Sequence, residues 1–75
     1  MTDLRLLKNF VAVFHSRSFR AAAEELGVSQ SSVTKRIQLL EGEVSLRLFN
    51  RTTRAVEPTD NARKLITAAE NALQA

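Results

Sequence analysis

Gln30, Ser31, Ser32, Thr34 and Lys35 place an amide, three hydroxyls and an ammonium within six consecutive residues. The chemistry open to such a set is recognition by hydrogen bonding. A glutamine amide carries a donor and an acceptor side by side and so matches the N6 and N7 edge of adenine, a pairing worth roughly 1–3 kcal/mol of discrimination. Thr34 offers a hydroxyl to a phosphate or a base and a methyl to thymine, whereas Ser31 and Ser32 offer hydroxyls alone. Bond-breaking chemistry is not indicated. No nucleophile stands beside a base at a recognisable spacing, no carboxylate pair is set for proton transfer, and no glycine-rich loop is present to cradle a phosphate. With no cysteine and a single histidine, His15, the chain also lacks the ligands of a metal site. The expectation is a protein that is not an enzyme, with no catalytic residue, metal or cofactor.

A recognition set needs charge to draw its target and a rigid element to present it. The net charge of +3 is unevenly spread. Residues 1–28 carry +1 and residues 57–75 carry −1, while residues 29–56 carry +3, from Lys35, Arg36, Arg47, Arg51 and Arg54 against Glu41 and Glu43. Local density, more than the total, attracts a polyanion, so this distribution suits a nucleic acid. At 75 residues the chain is one small domain with little room for an enclosed active site. The start Met1-Thr2-Asp3-Leu4 has no charged segment followed by an apolar one, and no apolar run approaches the roughly 18 residues of a membrane span. A soluble, cytoplasmic protein with no membrane partner is expected.

Leu6, Leu7, Phe10, Val13 and Phe14 recur at helical intervals and predict a first helix from about Leu4 to His15. Ser18 suits the cap of a short second helix with Phe19, Ala22, Ala23 and Leu26 inward, and Gly27 suits its left-handed exit. Ser29 then caps a third helix, with Val33, Ile37 and Leu40 inward and the polar set outward. The small pair Ala22-Ala23 lets the two helices approach closely beside their tight turn, as a helix-turn-helix requires. From Leu46 to Thr59 the period changes. Leu46, Leu48 and Val56 suit extended chain, and residues 50–54 read as the polar interval between two short strands. Pro58 ends the second strand, and Thr59 or Asp60 caps a fourth helix striped by Ala62, Leu65, Ile66, Ala69, Ala72 and Leu73. Phe10, Phe14, Phe19 and Phe49 read as core, not as stacking platforms.

The expected fold is mainly α, a winged helix-turn-helix with a three-helix core, a short two-stranded β-wing and a C-terminal helix. In such folds the first turns of the second motif helix meet base edges in the major groove, which selects Gln30, Ser31, Ser32, Thr34 and Lys35. Ser29 serves the same helix end as a cap and as a point of attraction for a phosphate oxygen.

The runs Leu7-x-x-Phe10-x-x-Val13, Ser18-Phe19-x-x-Ala22-Ala23-x-x-Leu26-x-Val28-Ser29-Gln30, Ile37-x-x-Leu40-Glu41 and Leu48-Phe49-x-Arg51-x-x-Arg54, followed by Thr59, occur in a telling order. In order and separation they resemble the N-terminal domain of LysR-type transcriptional regulators, and the resemblance covers almost the whole chain. It implies a bacterial regulator that binds double-stranded DNA as a homodimer or larger assembly and favours palindromic duplexes of the T-N11-A type. It also implies a small-molecule effector acting through a C-terminal domain that is absent here. Residues 1–58 would be the DNA-binding domain and residues 59–75 the first part of a linker helix. On that helix Leu65, Ile66, Ala69 and Leu73 would pair with the same helix of a second subunit. Arg51 and Arg54, flanking the wing turn, would touch the DNA backbone or the adjacent minor groove.

Three residues depart from the family pattern: Ser31 stands where proline is usual, Ser45 where glycine is common, and Ala62 where glycine is frequent. Ser31 keeps a backbone donor at the helix start, and Ser45 is dearer than glycine at positive φ. A second reading, from a different class, makes the chain a helical protein-interaction module that grips a partner with the 62–73 stripe. Replacing Gln30 and Lys35 by Ala separates the two, since only the DNA reading needs them.

Overall fold

Each helix begins where a short polar side chain can hold a free amide, and the first three are each followed by a left-handed residue. The computed structural model describes residues 3–51 and 56–74. They form α1 (Leu4–Ser16), α2 (Phe19–Leu26), α3 (Gln30–Val44), β1 (Phe49–Arg51), β2 (Val56–Pro58) and α4 (Asp60–Gln74). The Asp3 carboxylate accepts the Arg5 backbone N–H at 2.8 Å, and hydrogen bonds from the Arg5 side chain and then that amide hold its carboxyl below the ordinary carboxylate range. The hydroxyls of Ser18, Ser29 and Thr59 accept from the amides of Ala21, Ser32 and Ala62 at 3.0, 3.2 and 3.2 Å. At the far ends Arg17, Gly27 and Ser45 have φ of 55°, 69° and 57°. No atom lies within 4 Å of a β-carbon placed on Gly27, so the backbone conformation, not lack of space, calls for glycine there.

The inward stripes meet in a single core. Phe10 and Val13 of α1, Ala22 and Ala23 of α2, Val33, Ile37 and Leu40 of α3, and Ala62, Ile66 and Ala69 of α4 are buried together with Leu48 and Phe49. The Phe49 ring lies 5.7 Å from that of Phe10 and 6.3 Å from that of Phe19, so the aromatic residues join the strand to both helices, as core residues do. Ala22 and Ala23 are buried beside a turn of three residues, Gly27 to Ser29, closed by the Val28 N–H on the Ala23 carbonyl at 3.1 Å. Asn9 shares the inward side of α1. Its Nδ2 donates to the Arg5 carbonyl, while its buried Oδ1 has no partner.

The sheet departs from the sequence reading in its limits. Ser45 turns the chain out of α3, and the Leu46 N–H bonds back to the Glu41 carbonyl at 3.2 Å, so Leu46 belongs to the helix exit and is 45% exposed. The first strand therefore starts at Phe49. It also takes in Asn50 and Arg51, read above as part of the polar interval, because the antiparallel register pairs Phe49 with Pro58, Asn50 with Glu57 and Arg51 with Val56. Helix α1 runs one residue past the predicted His15, to Ser16, where the Arg17 N–H closes on the Val13 carbonyl at 2.7 Å. Among the described residues, no helix is long and apolar enough to cross a membrane.

Candidate nucleic-acid interface

The polar set is presented by α3, and the 3.6-residue repeat does the sorting. With Val33, Ile37 and Leu40 fully buried, Gln30, Ser31, Thr34, Lys35 and Gln38 line one open groove on the opposite side, of about 620 Å³. Gln30, Ser31 and Lys35 are exposed, and Thr34 is half-buried. Ser29 caps the helix, and its Oγ lies 2.8 Å from the Ser32 hydroxyl and 3.2 Å from the Ser31 hydroxyl. Ser32 is thus turned back toward its own cap, whereas Ser31 stands in the groove with Gln30. Arg36 leaves the helix elsewhere: it lines a depression with Asp3, Arg5 and Leu39, and its charge contributes to holding the Asp3 carboxyl down.

The wing contributes from β1. Arg51 is exposed, and its guanidinium carbon sits over the Phe19 ring, 4.4 Å from the centroid. Such stacking orders the side chain and leaves its N–H edges free to donate. Arg54 lies outside the described residues. Two residues fix where the wing starts, through contacts that sequence reasoning did not assign to them. The Glu41 Oε2 accepts the Leu48 N–H at 2.7 Å and the Phe49 N–H at 3.3 Å, which ties the third helix to the first strand. Thr59 donates its hydroxyl to the Arg47 carbonyl at 2.6 Å while capping α4. The available signal for Glu41 was its place beside inward Leu40, as one of two acids in a basic segment.

The basic residues divide in a way that composition conceals. Among the described residues, ion pairs engage Arg5, Arg17, Arg20 and Arg63, and His15 lies 3.1 Å from the Glu70 carboxylate. None of those pairs includes Lys35, Arg36, Arg47 or Arg51, which are grouped on α3, on β1 and in the turn between them. Lys8 on α1 and Lys64 on α4 likewise pair with no described carboxylate. Lys35 thus lies on the hydrogen-bonding helix face, and Arg47 and Arg51 line the cleft that adjoins it at Gln38, an arrangement that suits a polyanion with readable edges.

Of the positions assigned to pairing with a second subunit, Ile66 and Ala69 are buried in the chain's own core, and Leu65 and Leu73 are half-buried against it. Lys64, Ala68, Asn71 and Ala72 are among the exposed residues of α4.

Comparison with known proteins adds an independent line. Residues 4–63 match the family model described as bacterial regulatory helix-turn-helix protein, lysR family. The HTH-type transcriptional regulator BudR of Raoultella terrigena is 47% identical over 58 residues, covering 77% of this chain and 20% of that protein. An uncharacterized HTH-type transcriptional regulator of Sinorhizobium fredii, y4mQ, is 42% identical over 73 residues, covering 97% of this chain and 24% of its own length. The chain therefore spans about a quarter or less of these relatives. Among solved structures, the BenM DBD in complex with catB site 1 DNA superposes with a TM-score of 0.92 at 34% identity, covering 97% of this chain and 82% of that one. The CbnR DBD in its DNA complex gives a TM-score of 0.94 at 33% identity, covering 97% and 84%.

Proposed function

Because this chain belongs to the LysR family of bacterial helix-turn-helix regulators, we propose that it binds double-stranded DNA sequence-specifically as the DNA-binding part of a transcriptional regulator. Helix α3 enters the major groove by its first turns. Gln30 reads a base edge, Ser31 and Thr34 supply hydroxyls and a methyl, and Lys35 meets a phosphate or a guanine edge. Ser29 and Ser32 hold the helix start, with the N-terminal amides free to attract a phosphate. Arg51, with Arg54, meets the backbone or the adjacent minor groove. The observation that carries this reading is the open face of Gln30, Ser31, Thr34 and Lys35, set among cations that no described carboxylate pairs with.

Two copies pair through α4 to present two recognition helices to a two-fold site. Leu65 and Leu73, half-buried at the edge of the core, border the exposed Ala68 and Ala72, and this side of the helix is the one left to a second subunit. The test is a fluorescence titration of a palindromic T-N11-A duplex. Binding should be tighter than to a scrambled duplex and should weaken as salt rises. Replacing Gln30 and Lys35 by Ala should abolish the preference without altering self-association. Absent or salt-independent binding sinks the reading.

A further inference from the structure

Arg36, Leu39 and Glu43 follow one another at intervals of three and four residues, which puts them on one stripe of α3. With Asp3, Arg5 and Leu6 at the start of α1 they line a depression of about 330 Å³. We propose that this stripe docks on the same stripe of a second copy of the chain. The two α3 helices run antiparallel about a two-fold axis, Leu39 against Leu39, with each Arg36 on Glu43 of the other copy. The contact stands on the stripe itself. Its use, joining copies bound at neighbouring sites on one duplex, rests on the DNA-binding reading above.

Symmetry selects the occupant. Two antiparallel copies of a helix are related by a point halfway along their contact, and the point halfway from Arg36 to Glu43 lies between Leu39 and Leu40. The arginine of each copy therefore meets the glutamate of the other at both ends of the contact, about 10 Å apart along the helix, with leucine between. Neither charge is engaged at home. Arg36 and Glu43 form no ion pair with a described residue, while Asp3 and Arg5 beside them pair with each other at 3.0 Å. Arg36 reaches Asp3 only as the smallest of the influences on that carboxyl. Leu39 is 53% exposed although it shares the depression with buried Leu6, so apolar surface is left for a partner. One base and one acid make the stripe neutral, which disfavours a polyanion, whereas a two-fold copy sets each charge against its opposite. No residue of the groove holding Gln30, Ser31, Thr34 and Lys35 lines this depression, so DNA and a second copy can be held at once. A single helix flank buries far less than the roughly 1,200 Å² of a stable complex, so the contact acts when copies are held side by side.

The experiment uses the whole chain, which has no cysteine, so Leu39→Cys supplies one thiol beside the axis. A short bismaleimide is added to this variant at high concentration without DNA. It is also added at low concentration on duplexes carrying two sites recovered from a random pool, their spacing stepped through one helical turn of about 10 base pairs. Both arms should give a cross-linked pair, the second at one phase of the spacing. Adding Arg36→Glu or Glu43→Arg sets like charges together at both ends and should lower the cross-linked fraction about tenfold. The two charge variants mixed together, or both changes made in one chain, set opposite charges together again and should restore it. Each variant is checked for an unchanged thermal melt. A cross-linked fraction indifferent to these charges overturns the contact, as does no cross-link in either arm, and continued binding of a single-site duplex then leaves the functional reading in place. A salt slope lowered by about 1 in Arg36→Ala on a single-site duplex puts Arg36 on a phosphate and also overturns it. Cross-linking without DNA, in a chain that binds no duplex, upholds the contact and removes the functional reading. Cross-linking without DNA, but at no spacing on duplexes that are bound, overturns the joining of neighbouring sites.

Discussion

Ser45 is where a single residue most visibly works against its backbone. At φ 57° its β-carbon crowds the carbonyl, a conformation glycine adopts at little cost, and its N–H is already committed to the Glu41 carbonyl as the helix closes. Ser45→Gly should therefore stabilise the chain by about 1 kcal/mol, which in a domain of this size raises the melting temperature by roughly 4–8 °C. Urea and thermal melts measure it, and an unchanged midpoint would show that the side chain compensates for its own strain. The serine cluster at the other end of α3 works differently. The Ser29 hydroxyl lies within hydrogen-bonding reach of both Ser31 and Ser32, so the helix start is fixed by hydroxyls where the family pattern has a proline ring. That arrangement leaves the Ser31 hydroxyl beside Gln30 on the face proposed to read DNA.

Elements are joined here by few but well-placed contacts, and Glu41 is the most consequential. Its carboxylate holds two part-buried amides at the entrance to β1. Glu41→Ala leaves both without an acceptor and should cost about 2–4 kcal/mol, while Glu41→Gln, which keeps an acceptor oxygen but not the charge, should cost about 1 kcal/mol. Denaturant melts report the difference, and a loss below about 0.5 kcal/mol in the alanine variant would mean that the wing holds its place without this tie. Such contacts mark the limit of what sequence alone reveals. Helices and their limits were readable because a 3.6-residue stripe and a capping serine are local signals, as at Ser18 and Ser29. A strand of three residues is too short to show alternation, so Asn50 and Arg51 passed for loop. Glu41 reaches amides seven and eight residues away, a geometry with no local signature. Asn9 carried a signal that went unused, since it falls three residues from Leu6 and four from Val13, on the inward stripe. In the interface, the face holding Gln30, Ser31, Thr34 and Lys35 was legible for the same reason as the helix, whereas the cleft beside it exists only once β1 is laid against α3.

At the scale of the whole molecule, α4 has two obligations that the apolar stripe alone does not separate. One side, with Ala62, Ile66 and Ala69, closes the core against α1, and the His15–Glu70 contact at 3.1 Å and the Arg17–Glu57 contact at 3.3 Å lie at the periphery of that arrangement. Exposed contacts of this kind add little, so burial carries the packing. The other side, with exposed Ala68 and Ala72, is proposed to meet a second copy. Substitutions on the two sides should therefore fail in different ways. Ile66→Ala removes buried methylenes and should cost about 2–5 kcal/mol, lowering the melting temperature at every protein concentration. Ala68→Glu places a charge on an exposed helix position and should leave the monomer's melt within about 0.5 kcal/mol of the unaltered chain. Yet it should shift sedimentation toward the monomer and weaken binding to a palindromic duplex, while a single half-site is bound as before. The half-site is the discriminating measurement. A variant that loses both duplexes has damaged the reading head itself, and one that keeps both would remove α4 from the assembly of the complex. Loss confined to the palindrome would mean that each copy recognises DNA through α3 alone, with the affinity for the full site supplied by joining two such readings through α4.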